Sequence, residues 1–245
     1  MRKPRVLVDS SVFHHAIEFQ GRWEDTGVVL WGGRNGVPVQ TGRIVSSWEP
    51  IEIKLEKGGP QGKYIAALAL AFQKGQWEAH TSDALRIERF FPAYSGSRIP
   101  RNRGANYGDV SWFAKVECRG HVTLEELSFT VPGQTEPIDL LRHLLNNSHD
   151  GEYLEIRRAL EKAGSAKRAS QDAWHINTAI RLKMDKFLTC DARLIGQARS
   201  ITDPTLRKKI LDVLALPSEL CRLMGLVEMS DAELKELAKT LGIWI

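Results

Sequence analysis

Cysteine is scarce in this sequence of 245 residues, and long apolar runs are missing. The three cysteines, Cys118, Cys190 and Cys221, form no CxxC pair, which argues against a thiolate zinc site and against a disulfide framework. The longest apolar run, 64–72, is far shorter than the ~18 residues that a membrane span needs. The basic N-terminus leads into only a short apolar segment, too short for a signal peptide. We therefore expect a cytoplasmic protein with no membrane association.

A strong excess of one charge is also missing. The chain has 34 Lys and Arg against 30 Asp and Glu, a formal net charge of +4, and 42% of its residues are apolar. This composition excludes wholesale disorder, and a chain of this length can bury a core without a disulfide or structural metal. The slight basic excess is compatible with a polyanionic partner but does not require one.

Short apolar segments with strand character alternate with helical segments along the chain. This alternation predicts an α/β fold with a central, mostly parallel sheet. We expect one domain over 1–245, with a helical C-terminal extension from about 203. Region 24–62, rich in Gly and β-branched residues, predicts a small antiparallel β elaboration, and 92–136, rich in Gly and Pro, a second insertion. The predicted strands are 5–9, 77–81 and 186–189, and the predicted helices are 11–19, 63–74, 83–91, three within 137–183, and three that begin near 203, 217 and 230.

Acidic residues stand where the predicted strands end. Asp9 follows the first strand, Asp191 follows the last, and Asp172 opens a helix between them; Asp83 and Glu88 follow the second strand. Because parallel strands present their carboxyl ends at one edge of a sheet, we expect several of these acids to meet there. Carboxylates gathered in this way repel each other unless a cation or bound protons compensate them. Oxygen ligands alone favour Mg²⁺ or Mn²⁺.

Each acid also has an ordinary structural interpretation when it is taken alone. Asp9 could cap the next helix, and Asp172 in a first helical turn is favoured by the helix dipole. Glu88 could be a solvated helix residue, and Asp191 a turn residue. The sequence around each acid, and their order along the chain, favour a common site.

Two segments carry a resemblance to a known family. They are DAWHINTA at 172–179 and FLTCDARL at 187–194, preceded at the N-terminus by an apolar strand that ends in Asp9-Ser10-Ser11. With these motifs the sequence resembles the PIN-domain nucleases, over about 4–22, 63–91 and 137–200. It is longer than the toxin nucleases of bacterial toxin–antitoxin pairs, from which it differs by the two insertions and the C-terminal extension.

The resemblance implies a three-layer α/β/α sandwich and a metal-dependent endoribonuclease, acting as a toxin, a defence effector or an RNA-processing enzyme. It further implies an antitoxin or another regulatory protein as partner, and pairing into a homodimer. Asp83 is the alternative to Glu88 as the middle acid. The implied catalytic and Mg²⁺- or Mn²⁺-binding residues are Asp9, Glu88, Asp172 and Asp191, with Ser11 and Thr189 supporting them.

Basic residues near these segments are candidates for contact with RNA. Arg98, Arg101 and Arg103 form a cluster flanked by tyrosines, although a solvated loop is the more ordinary interpretation of such a stretch. Lys167 and Arg168 precede Asp172, and Arg193 follows Asp191. His175 is interpreted as a supporting or packing residue. DNA, including single strands or flaps, is the alternative substrate, and a non-catalytic module that binds nucleic acid or protein is the alternative function.

Overall fold

The computed structural model describes residues 2–15, 19–31, 36–48, 61–90, 117–118, 141, 145–164, 169–230 and 232–233. Over these ranges the chain is an α/β protein, as the alternation of segments predicts; the PIN-like topology remains a prediction. The strands are β1 (Arg5–Val8), β2 (Phe19–Trp31), β3 (Val37–Trp48), β4 (Glu78–Thr81), β5 (Glu117–Cys118), β6 (Lys186–Leu188) and β7 (Leu214–Ala215). The helices are α1 (Ser10–His15), α2 (Gly62–Gln73), α3 (Asp83–Phe90), α4 (Gly151–Lys162), α5 (Ala169–Arg181), α6 (Ala192–Arg199), α7 (Pro204–Val213) and α8 (Pro217–Leu223).

The main sheet is parallel throughout, with strand order β5-β4-β1-β6-β7. Strand β1 lies at its centre, where a continuous apolar segment is expected because both faces of an inner strand are covered. Its side chains alternate between the two faces, so Val6 and Val8 enter one hydrophobic cluster and Leu7 enters the other.

Helices supply the rest of both clusters. One cluster combines β1 with α1, α2 and α8, and includes Ile65, Leu68 and Trp77. Trp77 is almost completely buried, and its indole N–H donates to the carbonyl of Leu68 at 2.9 Å, so its one polar group is satisfied. The other cluster packs α3 to α7 on the opposite face. The sheet is thus fixed from both sides, which holds the strand ends in place.

A separate two-stranded antiparallel sheet, β2 with β3, accounts for part of the predicted β elaboration. Its register shifts between Asp25 and Gly27, where Gly27 has a φ of 107°. The helix predicted over 11–19 is wrong at its end, because α1 ends at His15 and Phe19 pairs with Trp48 between β2 and β3. Residues 32–35 and 49–60 of the predicted elaboration lie outside the described residues.

Local helix signals in the sequence are confirmed. Helix α2 lies within one residue of its predicted range, and Ser82 caps α3 by accepting from the N–H of Leu85 at 3.4 Å. Ser230 and Glu233 form a capping box where a helix is predicted to begin, with Glu233 Oε2 accepting from the N–H of Ser230 at 2.8 Å. Only 117–118 of the insertion at 92–136 is described. Among the helices of the described ranges, none combines the length and the apolar character that crossing a membrane requires.

Candidate active site

The carboxyl ends of β1 and β6 lie side by side and bring their following residues together. Val8 pairs with Leu188, and the N–H of Asp9 donates to the carbonyl of Leu188 at 2.9 Å. Thr189 continues the same edge, since its N–H donates to the carbonyl of Ala215 at 3.0 Å. The sheet therefore places Asp9 next to the segment 189–191, as expected for strand ends in a parallel sheet.

Two hydroxyl groups fix the carboxylate of Asp9. Ser11 Oγ and Thr189 Oγ1 both donate to Asp9 Oδ2, at 2.5 and 2.7 Å. These hydroxyls also accept backbone N–H groups at 3.0 Å, Ser11 from Cys190 and Thr189 from Asp191. The predicted supporting residues thus connect β1 to the loop after β6 and hold Asp9 in one orientation.

Asp191 has a structural role as well as a place at this edge. Its Oδ1 accepts from the N–H of Leu194 at 3.1 Å and so caps α6, while its Oδ2 accepts from Arg193 Nη2 at 3.0 Å. Burial alone would raise the pKa of Asp191, but the hydrogen bonds from Arg193 and from the backbone outweigh it and leave this pKa lowered. Asp191 is therefore ionised at neutral pH.

Asp172, in the first turn of α5, completes a group of three aspartates. Arg193 Nη2 lies 3.8 Å from Asp172 Oδ2, so one guanidinium lies between Asp172 and Asp191. Burial raises the pKa of Asp172 to about 6, with opposing contributions from His175 and Arg193 and further upward contributions from Asp191 and Asp9. The charges of the three aspartates therefore act on one another, although the residues come from distant parts of the chain.

Glu88 reaches the group through His175. His175 Nε2 lies 2.8 Å from Glu88 Oε1, a distance at which the ring N–H donates to the carboxylate. Burial would lower the pKa of His175, but the charge and hydrogen bond of Glu88, together with Asp9 and Asp172, raise it. The Glu88 side chain is only 17% exposed, so it is not the solvated helix residue of the alternative interpretation.

Cys190 lies within the site but is not suited to be a nucleophile. Burial, with a smaller contribution from the charge of Asp9, raises the pKa of its thiol to about 12. The thiolate is the reactive form of cysteine, and it is negligible at neutral pH under these conditions. The chemistry of this edge therefore rests on oxygen groups.

The structure brings together most of the residues that the sequence singles out. Asp9, Asp172, Asp191, Ser11 and Thr189 lie at one edge, and Glu88 joins them through His175. Arg193, predicted to contact nucleic acid, binds the acids themselves. Asp83 lies in the first turn of α3, and the contact to His175 is made by Glu88. Outside the described residues lie Arg98, Arg101, Arg103, Lys167 and Arg168.

The sequence indicates only a supporting or packing role for His175 and does not reveal its bond to Glu88. The available signal was its position three residues after Asp172, which places both on nearly the same side of α5. The partner of this histidine depends on how α3 packs beside α5, and no local pattern encodes that packing.

The oxygen donors of the site fit Mg²⁺ or Mn²⁺ in kind. Burial is the main cause of the raised pKa of Asp172, and a cation bound beside this carboxylate would favour its charged form. Within the ranges that the structure describes, however, no group of three or more His, Cys, Asp and Glu side chains is arranged so that it could hold a metal ion. The positive charge between Asp172 and Asp191 comes instead from Arg193.

Comparison with known proteins identifies no family for this chain. No family model, no curated protein and no solved structure matches the chain. The functional argument therefore rests on the residues and on their arrangement at the sheet edge.

Proposed function

We propose that this chain is a Mg²⁺- or Mn²⁺-dependent endoribonuclease with a PIN-like architecture. The observation that carries the proposal is the meeting of Asp9, Asp172 and Asp191 at the carboxyl edge of a parallel sheet, where their charges act on one another. The resemblance of 172–179 and 187–194 to the PIN-domain nucleases supports the same function. In that function the chain would act in the cytoplasm, as a toxin, defence or RNA-processing enzyme that an antitoxin or regulatory partner restrains, and it would form a homodimer.

Under this proposal Asp9, Asp172, Asp191 and Glu88 hold the metal. When bound, the ion would supply positive charge against the scissile phosphate and would acidify an attacking water. Ser11 and Thr189 orient Asp9 through the two hydrogen bonds to its Oδ2. Arg193 would have to leave the acids when the ion binds, and its guanidinium would then be free to contact a phosphate.

The remaining cationic residues would extend the path of the nucleic acid. Lys167 and Arg168 stand in the sequence just before α5, whose first turn carries Asp172. Arg98, Arg101 and Arg103 would add contacts to the phosphate backbone. DNA remains the alternative substrate within the same chemistry.

A non-catalytic nucleic-acid-binding module is the second candidate. Two observations favour it: the guanidinium of Arg193 already lies within salt-bridge distance of both Asp172 and Asp191, and no metal-holding group is formed among the described residues. In such a module the acids would serve to position Arg193 rather than a metal ion.

Cleavage assays distinguish the two candidates. The full chain is incubated with single-stranded and structured RNA and with DNA of the same sequences, in Mn²⁺, Mg²⁺ or EDTA. We expect cleavage of RNA with either metal, none in EDTA, and a loss of at least about 100-fold in Asp9→Asn and Asp172→Asn. Asp212→Asn is the matched control, because Asp212 is exposed and pairs with Lys208 away from the site.

The outcome also decides the substrate. Cleavage of DNA with equal efficiency would replace the RNA assignment but not the chemistry. Binding of nucleic acid without cleavage of any substrate, unchanged in both site variants, would overturn the nuclease and support the module.

A further inference from the structure

His175 makes its one described hydrogen bond to Glu88, across the interface between α5 and α3. The bond joins His175 Nε2 to Glu88 Oε1 at 2.8 Å, and the histidine side chain is only 4% exposed. The other ring nitrogen, Nδ1, is buried without a hydrogen-bond partner in the described structure. The imidazole therefore satisfies one of its two polar atoms, and it does so on a candidate metal ligand.

Packing alone does not account for a histidine at this position. Its ring packs against Phe187, with centroids 6.1 Å apart, in the apolar environment that α5 and β6 share. A buried polar atom without a partner destabilises the fold, so an apolar ring of similar size would suit these surroundings better. The feature that distinguishes histidine here is its reach to Glu88.

The charges around the imidazole also connect His175 with the acids of the site. Glu88 faces it from α3, Asp172 stands one turn earlier on α5, and the charge of Asp9 acts on it from the end of β1. The charges of the middle acid and of two site aspartates therefore all act on His175. The hydrogen bond from His175 is made to Oε1 of Glu88, and Oε2 of the same carboxylate takes no part in it.

We propose that His175 is a positioning residue that holds Glu88 for metal binding. The bond from Nε2 fixes the rotamer of Glu88, so that the carboxylate meets the cation without first losing side-chain freedom. Partners of metal ligands typically change metal affinity by about 10–100-fold when they are replaced. This inference rests on the proposed function, because it gives His175 a role only if Glu88 binds the metal.

The test compares His175→Asn with His175→Gln. The amide of Gln reaches about as far as Nε2 and keeps a donor for Glu88, whereas the amide of Asn ends near the level of Nδ1. Titration calorimetry of the metal-free full chain with Mn²⁺ measures the affinity directly, without any cleavage assay. We expect His175→Asn and Glu88→Gln each to weaken Mn²⁺ binding about 10-fold, and His175→Gln to weaken it much less.

A double-variant cycle separates positioning from a general structural effect. If His175 acts through Glu88, the His175→Asn/Glu88→Gln pair is no weaker in Mn²⁺ binding than Glu88→Gln alone. His80→Asn is the matched control, because His80 is another buried histidine, located on β4, and its substitution should leave Mn²⁺ affinity unchanged. Thermal unfolding without metal identifies any variant that fails to fold.

The outcomes separate this inference from the proposed function. Mn²⁺ affinity equal to wild type in His175→Asn, with Glu88→Gln weakened, would overturn the positioning role and leave the nuclease standing. Additive losses in the double variant would also overturn it. If His175→Asn does not fold, an affinity loss in His175→Gln as large as that in Glu88→Gln would count against the inference. Absence of Mn²⁺ binding in the parent protein would remove the metal site and the inference together.

Discussion

Asp172 is an aspartate of the site whose charged form is disfavoured by burial. Its pKa rises from 3.8 to about 6, chiefly through burial, so the folded protein binds this proton more tightly than the unfolded chain does. The stability of the metal-free protein therefore falls as pH rises from about 4 to about 6, and the loss remains at higher pH. About two pKa units correspond to about 3 kcal/mol.

Replacing Asp172 by Asn should remove this loss. Without metal, the difference in unfolding free energy between Asp172→Asn and wild type should shift in favour of the variant by about 2 kcal/mol from pH 4 to pH 7.5, because a small part of the full loss has already occurred at pH 4. Denaturant unfolding in a metal-chelated buffer at both pH values measures it. Using the difference cancels the opposite contributions of Asp150 and Asp185, whose pKa values are lowered in the folded state.

Asp212→Asn serves as the control for this experiment, because the exposed Asp212 lies outside the site. It should change stability by a similar small amount at both pH values. If Asp172→Asn behaved in the same way, the aspartate would not carry the burial cost that its position indicates.

The aspartates of the site could be predicted from sequence, whereas the partners of two basic residues could not. Asp9 and Asp191 follow directly from their positions after parallel strands. His175 and Glu88 are 87 residues apart, so their contact depends on the packing of two helices. Arg193 was predicted to contact nucleic acid, but its guanidinium binds Asp191, only two residues earlier, and Asp172.

At the scale of the elements, apolar spacing predicts the central strand well and the end of α1 poorly. The run Val6-Leu7-Val8 allows little besides a strand covered on both faces. Residues Val12, Ala16 and Phe19 fit a helical spacing, yet Phe19 belongs to β2. Short segments are ambiguous in this way because the pairing partner, here Trp48, is distant in sequence. The two-residue strands β5 and β7 are too short to leave a periodic signal.

Helix α6, which Asp191 caps, contains a glycine that the fold does not require. A Cβ built at Gly196 meets nothing within 4 Å, and the residue lies inside the helix. Gly196→Ala should therefore raise the free energy of unfolding by about 0.5–1 kcal/mol, because glycine loses more backbone freedom on folding. Thermal unfolding should show a midpoint higher by about 1–4 °C.

The same substitution at Gly164 should have the opposite effect on the free energy of unfolding. Gly164 follows α4 with a φ of +101°, a conformation that L-residues rarely adopt, although a Cβ there also meets nothing within 4 Å. Gly164→Ala should lower the unfolding free energy by about 1–2 kcal/mol. A shift of both variants in the same direction would show that backbone conformation does not decide these two positions.

At the scale of the molecule, the sheet edge connects segments that are far apart in the chain. Asp9 follows β1, Thr189 and Asp191 follow β6, and Asp172 comes from α5, which packs on one face of the sheet. The repulsion among these acids is therefore a property of the assembled fold and is absent from the unfolded chain. Any cation that relieves it must bind the folded state preferentially.

Stability should consequently depend on Mn²⁺ or Mg²⁺. A cation present at about 100 times its dissociation constant stabilises the folded state by about 2.7 kcal/mol. For a chain of 245 residues this corresponds to a rise in Tm of about 5–10 °C over the same protein in EDTA. Asp9→Asn should abolish most of the rise, because Asp9 is the acid that Ser11 and Thr189 hold in a fixed orientation.

The location of the cation follows from comparing variants under one set of conditions. Asp212→Asn should keep the full rise in Tm, because its carboxylate pairs with Lys208 on the exposed side of α7. A rise in Asp9→Asn and Asp172→Asn equal to that of wild type would place the ion elsewhere on the protein. If Tm rose in neither wild type nor Arg193→Gln at any cation concentration, the sheet edge would bind no cation. This would hold even with the competing guanidinium removed. The acids would then serve the fold and the position of Arg193, and the binding module would replace the nuclease.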